Sequence, residues 1–374
     1  MDLSVQIFTG SCMKPVEINT RAVIDKLNKI IKKKNISNAI IGWNKDADLS
    51  EIISLLKGNG ADIYLWLPVF SELEALTDFF PLVKSDNKEL KINYDAGNGE
   101  KFLFSCPANF KNIEKIIAVF EKYYGERVYD GVFLDKIRFP SFIGGLDSVL
   151  TCFCDYCRSK HDLPKEWGIH DSENPLGIRS YNNLSYNLDD RYKKLFDYKC
   201  DAVFNSLEYL CRYFRGRGLK IGFDLFAPFL AYFVGQSYHR LLHLADFVKP
   251  MFYGITNAPA GLPFEIDMYA KAFDDDTKKA ERRKERFFNN IGYGKDFITS
   301  EITGIRKLMN DNGFKTRLYA GIEVNHITGI APVTEKYICE SVARAEEAGG
   351  IVASWDLNTM QDSHIDCMLG ALAV

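Results

Sequence analysis

The chain has no stretch approaching the ~20 consecutive apolar residues that a membrane span needs. It has no excess of positive charge: 47 Lys and Arg stand against 50 Asp and Glu, for a net charge of -3. A nucleic-acid partner, which would want a basic face, is therefore not expected, nor is a membrane partner. A glycine-rich phosphate turn is missing too. The segment after the first apolar run is Thr9-Gly10-Ser11-Cys12-Met13-Lys14-Pro15, with a single glycine where a dinucleotide-binding sheet would carry G-x-G-x-x-G. No H-E-x-x-H pattern accompanies the six histidines, so His239 and His243, four apart, read as surface or packing residues rather than a metal pair. Linkers, repeats and low-complexity tracts are absent as well, and a single domain spanning 1–374 is expected. The N-terminal Met1-Asp2-Leu3-Ser4-Val5-Gln6 lacks the basic-then-apolar layout of a secretory signal, which predicts a cytoplasmic location. Nothing bears on oligomeric state.

What the chain does have is a rhythm. Short apolar, β-branched runs bounded by Gly, Pro, Asn or Asp predict strands at 4–9, 38–43, 62–69, 128–135, 219–225, 246–253, 316–324 and 350–355. Helical spacing predicts helices at 21–34, 49–57, 109–124, 189–215, 274–290, 301–310, 334–348 and 362–372. The alternation slips after strand three, where a hairpin is predicted around 93–99, and again after strands four and six. Eight strands alternating with helices imply a parallel sheet, and eight closes a barrel. The expected fold is α/β, a (β/α)8 TIM barrel with long inserts after strands 3, 4 and 6.

In such a barrel, polar residues at the carboxyl ends of strands are where chemistry concentrates. Those ends carry Trp43-Asn44, Trp66, Asp135-Lys136-Ile137-Arg138, Asp224, Tyr253, Glu323-Val324-Asn325-His326 and Trp355-Asp356. Carboxylates rimmed by indole and phenol rings suit glycosidic-bond cleavage: one acid stabilises or captures an oxocarbenium-like centre while another protonates the leaving oxygen. Flat rings pack on the apolar faces of sugars. Asp135, Asp224 and Glu323 are the catalytic candidates. Either Asp224 or Glu323 is the acid, and Asp135 has an alternative reading as an ion-paired residue meeting Arg138. Trp43, Trp66, Arg138, Tyr253, Asn325, His326, Trp355 and Asp356 are the substrate-binding candidates, Asp356 equally readable as a helix cap.

The segment Asp130-Gly131-Val132-Phe133-Leu134-Asp135-Lys136-Ile137-Arg138-Phe139-Pro140 resembles the strand-four signature of barrel glycosidases, a D-G-x-x-x-D pattern whose second Asp is the nucleophile. It is similar, more closely, to the "DG-x-x-LD-x-IR-x-P" segment of a glycoside hydrolase-like (β/α)8 barrel family. That resemblance implies a nucleophile or transition-state stabiliser at Asp135.

Nine cysteines are an odd number, so they cannot all pair within the chain, and in a reducing compartment they are thiols or metal ligands. Three fall within Cys152-Phe153-Cys154-Asp155-Tyr156-Cys157, inside a polar insert expected at about 138–188, and Cys106 precedes Pro107. Four thiolates make a closed structural zinc site, with His161 in reserve as fourth ligand. Cys12, Cys200, Cys211, Cys339 and Cys367 read as small apolar packing residues. The C-x-C-x-x-C loop plus one earlier cysteine resembles the zinc loop of glycoside hydrolase family 42 β-galactosidases. That family ends strand four in Asn-Glu where this chain has Asp135-Lys136, so its catalytic residues do not carry over. An iron–sulfur radical enzyme would place C-x-x-x-C-x-x-C after strand one, which this chain does not.

The expected activity is hydrolysis of a glycosidic bond in an oligosaccharide or glycoconjugate by two carboxylates, with structural zinc as the cofactor. Its rivals are a non-catalytic carbohydrate-binding barrel and a barrel enzyme of another class, a sugar isomerase or metal-dependent hydrolase.

Overall fold

The structure is a computed structural model that describes residues 1–76, 78–92, 94, 103–126, 129–160, 171–274 and 276–373. All eight expected strands are present: β1 (Asp2–Ile7), β2 (Ile36–Ile41), β3 (Asp62–Pro68), β4 (Gly131–Asp135), β5 (Lys220–Phe226), β6 (Phe247–Met251), β7 (Ala320–Glu323, preceded by the short piece Arg317–Leu318) and β8 (Gly350–Ser354). Each is parallel to its neighbours, from β1 round to β6. β8 pairs with β1 and β7, and β7 returns to β6 through Gly321 and Met251. The sheet is closed, a (β/α)8 barrel.

Helices α1 (Thr20–Ile31), α2 (Ser50–Gly58), α3 (Phe110–Tyr123), α4 (Asp190–Gly216), α5 (Leu262–Lys271), α6 (Thr277–Ile291), α7 (Phe297–Asn312), α8 (Glu335–Arg344) and α9 (Asp362–Leu372) accompany it. Their sequences explain their placement. α1 buries Val23, Leu27 and Ile30, one stripe of a 3.6-residue repeat, and starts where the Asn19 side chain accepts the Ala22 amide. No described helix is long and apolar enough to cross a membrane.

Long inserts follow β3, β4 and β6, as expected. The predicted hairpin at 93–99 lies outside the described residues. A hairpin does occur in the β4 insert, where Ser180–Asn182 pairs antiparallel with Ser185–Asn187. It docks through two tyrosines. The Tyr181 hydroxyl donates to Glu301 of α7 at 3.0 Å, and the Tyr186 hydroxyl donates to the Phe229 carbonyl.

Strand alternation decides what fills the barrel. Ile40, Tyr64, Phe133, Phe247, Tyr319 and Val352 point inward and form a closed apolar cluster of their own. Phe247 is its centre, stacked on Phe133 at 5.6 Å between ring centroids and edge-on to Tyr64 at 5.0 Å and Tyr319 at 5.4 Å. Gly222 must be glycine, because a Cβ there would lie 2.5 Å from the Phe247 ring and 2.8 Å from Phe133. Above this floor the inward positions turn polar: Gln6, Trp66, Asp135, Asp224, Lys249, Glu323 and Ser354.

Cys12, Cys200 and Cys211 are buried, as small packing residues should be. Cys339 and Cys367 are not: Cys339 is exposed and Cys367 partly so. The packing assignment is therefore corrected for Cys339, whereas Cys367 still packs against the edge of the core.

Phe247→Ala should remove about 3–5 kcal/mol of stability, because the three rings around it cannot collapse into the space. Urea unfolding should show a lower midpoint with an unchanged slope. A loss under about 1 kcal/mol would mean that the floor does not hold the barrel closed.

Candidate active site

The strand-four motif divides its work along its length. Asp130, just before β4, accepts the Ile63 amide of β3 at 2.8 Å. Gly131 leaves room for the Tyr64 ring, 2.4 Å from where a Cβ would stand. Val132 and Leu134 pack outward into the main core and Phe133 inward into the floor. That parity carries Asp135 inward at the strand's carboxyl end, partly exposed, where Trp66 donates its indole N–H to Asp135 Oδ2 at 2.9 Å. The Lys136 amide donates to Asp135 Oδ1. The chain turns sharply there: Lys136 adopts φ +50 and Glu72, its buried ion-pair partner from the β3 insert, φ +57. Two non-glycine residues in left-handed backbone each cost of order 1–3 kcal/mol.

Asp224 is the inward residue of β5 next to Asp135, since Leu134 is in register with Phe223. It is 3 % exposed. Its Oδ2 accepts from Lys249 of β6 at 2.9 Å, and Lys249 also donates to Gln6 Oε1 of β1 at 3.3 Å. Burial pushes the Asp224 carboxyl up to about 7, against the pull of the Lys249 ammonium and with a further push from the Asp135 charge. Asp224 Oδ1 and Gln6 Nε2 are buried with no partner among the described residues. Lys249 also lies 5.4 Å from the centroid of the Tyr253 ring, which stands edge-on to Trp355 at 5.1 Å.

Arg138 is buried with its guanidinium 4.5 Å over the Phe226 ring and 5.1 Å from Phe104, and it donates to the Phe139 carbonyl at 3.1 Å. Its charge lowers Asp224 and also Glu265, a buried carboxyl of α5 that accepts the Ala260 amide at 2.9 Å.

Other predicted residues are placed differently. Trp43 is 3 % exposed and belongs to the core outside the barrel, its carbonyl taking the Tyr124 hydroxyl. The cause is parity: Ile40 faces inward, so Trp43 faces the helices and cannot offer a sugar platform. Asn325 is spent on the β8 loop: Oδ1 accepts the Trp355 amide at 2.7 Å and the Asp356 amide at 3.1 Å, while Nδ2 donates to the Asp356 carbonyl at 2.8 Å. Asp356 fixes the same loop by accepting the Phe8 amide at 3.0 Å and the Asn358 amide at 3.1 Å. His326 is exposed, its Nδ1 3.0 Å from the Val333 carbonyl.

Glu323 is fully buried and takes four donors: the Gly254 amide at 2.9 Å, the Ile255 amide at 3.1 Å, the Thr256 hydroxyl at 2.5 Å, and the Tyr337 hydroxyl. Burial raises its carboxyl and the four donors oppose this. A carboxylate so occupied anchors the β6 loop to α8 and has no free lone pair for a substrate proton.

Lys249 is the central residue that sequence reading missed. The signal was available: a lysine inside the apolar run Phe247–Met251 of a strand buried throughout must have a buried partner. Glu72 sits in the β3 insert, which carries no periodic pattern, Glu265 lies in the short helix α5 of the β6 insert, and Gln6 reads as an ordinary strand residue.

The Sγ atoms of Cys106, Cys152, Cys154 and Cys157 all lie within 4.8 Å of one another. Cys106 is 3.4 Å from Cys157 and 3.8 Å from Cys154, and Cys154 is 3.5 Å from Cys157. A tetrahedral ion with metal–sulfur bonds of about 2.3 Å spaces its sulfurs about 3.8 Å apart. Cys152 Sγ also accepts the Val83 and Cys154 amides at 3.4 Å each. Four cysteines are thus grouped closely enough to hold one metal ion. His161 lies outside the described residues.

The fold has structural counterparts among glycoside hydrolases. The glycoside hydrolase domain of PgaB (BpsB) from Bordetella bronchiseptica aligns over 100% of this chain and 97% of that one, at 14% identity and a TM-score of 0.58. α-L-Fucosidase isoenzyme 2 from Paenibacillus thiaminolyticus aligns over 100% of this chain and 49% of its own length, at 10% identity and a TM-score of 0.54. No protein-family model and no curated protein matches the sequence. At these identities the likeness establishes the barrel and nothing finer, and it does not tie the cysteine cluster to the family 42 loop.

Glu323→Ala would leave the Ile255 amide and the Thr256 and Tyr337 hydroxyls without this acceptor, and the Gly254 amide with Tyr337 alone. It should cost about 3 kcal/mol or more and speed hydrogen exchange at Gly254 and Ile255. An unchanged melting temperature together with lost turnover would instead make Glu323 a reacting group.

Proposed function

We propose that the chain is a glycoside hydrolase working with Asp135 and Asp224 on a carbohydrate substrate. The observation that carries this reading is the adjacency of two inward carboxyls on β4 and β5, one at a partly exposed rim and the other buried. Asp135 is steadied by two N–H donors at a partly exposed rim, while Asp224 is held by burial near a value of about 7. A buried carboxyl raised toward neutrality suits the acid of such a pair, and its more exposed neighbour suits the nucleophile or stabiliser.

In this mechanism Asp224 enters protonated and gives its proton to the leaving glycosidic oxygen. Asp135 enters as carboxylate and meets the positive charge that develops at the anomeric carbon. The Trp66 N–H fixes the rotamer of Asp135, and Lys249 limits how far burial can raise Asp224. Trp66, Tyr253 and Trp355 supply aromatic walls, and Arg138 steers charge from its stack on Phe226. Inward residues in register on neighbouring strands stand about 5 Å apart. A retaining outcome follows where the two carboxyls themselves lie about 5–5.5 Å apart, and an inverting one at about 6.5–9.5 Å.

The cysteine cluster is proposed to hold zinc, on the chemistry of an all-thiolate donor set in a near-tetrahedral spacing. When bound, the ion supplies structure: it joins the β4 insert, through Cys152, Cys154 and Cys157, to the β3 insert, through Cys106.

Asp135→Asn should cut turnover about a thousandfold or more while a glycan still quenches tryptophan fluorescence. Asp224→Asn should do the same to substrates with poor leaving groups. Because Asp224 must be protonated, activity should be fullest below its value and decline as pH rises through about 7. The first-formed anomer, followed by NMR, distinguishes retention from inversion. Wild-type binding with no turnover across a broad glycan panel would favour a carbohydrate-binding barrel.

Purified protein should contain about one zinc per chain. Cys154→Ser should lose both the metal and several degrees of thermal stability, whereas an equally stable variant would remove the structural role.

A further inference from the structure

Two cysteines lie outside the four-thiol cluster and near the surface, Cys339 exposed and Cys367 partly exposed at the edge of the core. Cys339 of α8 and Cys367 of α9 bring their sulfurs to 2.7 Å on the outer face of the barrel. The helices that carry them pack against each other. Cys339 is exposed, and Cys367, partly exposed, also directs its thiol at the Glu335 carbonyl at 3.0 Å. Buried core thiols meet apolar neighbours; this pair meets solvent and one another. We propose that Cys339 and Cys367 form a reactive surface dithiol that closes to a disulfide and pins α8 to α9.

The oxidant is a low-molecular-weight disulfide, and the chemistry is thiol–disulfide exchange. The Cys339 thiolate, the exposed one, attacks a sulfur of that disulfide. A mixed disulfide forms and one small thiolate leaves. Cys367 then loses its proton and attacks Cys339 Sγ, which releases the second small thiolate and forms the Cys339–Cys367 bond. Two protein thiols are oxidised by two electrons, the small disulfide is reduced to two thiols, and the two protons end on those products. Burial and the neighbouring sulfur hold Cys367 up at about 11, which suits it to the second, resolving step rather than the first.

The position gives this bond reach. Tyr337, two residues before Cys339, donates its hydroxyl to Glu323 and accepts the Gly254 amide at 3.1 Å. α8 is therefore the outer post of the β6 loop. A link from 339 to 367 also encloses β8 together with the loop that Asn325 and Asp356 organise. This inference stands whether or not the chain cleaves sugars.

The full-length, metal-loaded chain treated with oxidised glutathione, alkylated and digested should yield one peptide joined through Cys339 and Cys367. The melting temperature should rise by about 5 °C and return on adding dithiothreitol. Cys339→Ser should abolish both effects. Cys367→Ala should accumulate glutathione on Cys339, which a non-resolving neighbour would not change. A wild-type chain that stops at a stable glutathione adduct on Cys339, or one that cross-links with no rise in melting temperature, would overturn the proposal.

Discussion

The pairing of Asp224 with Lys249 is the constraint on which the interior depends. Both side chains lie inside the closed barrel, 2.9 Å apart and almost without solvent. Removing one partner of such a pair typically destabilises by about 3–5 kcal/mol. The pair forms only because β5 and β6 are neighbours in register at these two positions, and Gln6 reaches Lys249 from β1 only because the sheet closes. Closure and polarity therefore support each other. The same contact sets the electrostatics: burial raises the Asp224 carboxyl and the ammonium opposes it, for a value of about 7.

Polar residues at the strand ends serve two masters, and parity separates them. Asp135, Asp224 and Lys249 face the interior. Asn325 and Asp356 face loops and are consumed by backbone amides, which buried or half-buried loop backbone must satisfy somewhere. Glu323 faces inward yet belongs with the loop builders, because the β6 loop folds back over it and brings its own donors. The β3 and β4 inserts meet in a similar way: Phe153 donates its amide to the Val83 carbonyl at 2.8 Å, Val83 donates to Cys152, and Cys106 closes the thiol cluster from the other insert. The walls on either side of Asp135 are thus joined to each other outside the barrel.

The barrel was legible because each strand repeats one physical pattern, an apolar run closed by turn residues, and the repeat count alone selects closure. The four-cysteine group was legible from its density. Asp135 was legible as a carboxylate that ends a buried run and faces inward, while Asp224 sits inside β5, two residues before its end. Trp43 was misread because strand-end position was weighed without parity; counting two steps from the inward Ile40 reaches Gly42, which leaves Trp43 outside. Asn325 could not be separated from a ligand residue by sequence, since its partners are amides of a loop thirty residues away. The hairpin at 180–187 was hidden because its strands are short and polar, and its docking relies on single contacts such as Tyr181 with Glu301. Burial lifts that Glu301 carboxyl to about 8, a property of the assembled surface rather than of any local pattern.

The strand-four motif shows how such a resemblance should be weighed. Its first aspartate is structural: Asp130 receives an amide of β3, and Asp246 before β6 receives the Ile221 amide of β5 at 2.7 Å in the same manner. Its glycine is structural as well, making room for a floor ring. An Asp before a strand therefore helps register one barrel strand on the previous one, wherever in the barrel it occurs. Only Asp135, at the far end of the run, faces the site. Most of the motif is consequently information about closing a barrel, which distant chains of the same fold share without sharing chemistry. What is left of the motif once its structural part is set aside is one inward carboxyl, Asp135, and the neighbour that the next strand sets beside it is Asp224, held in place by Lys249.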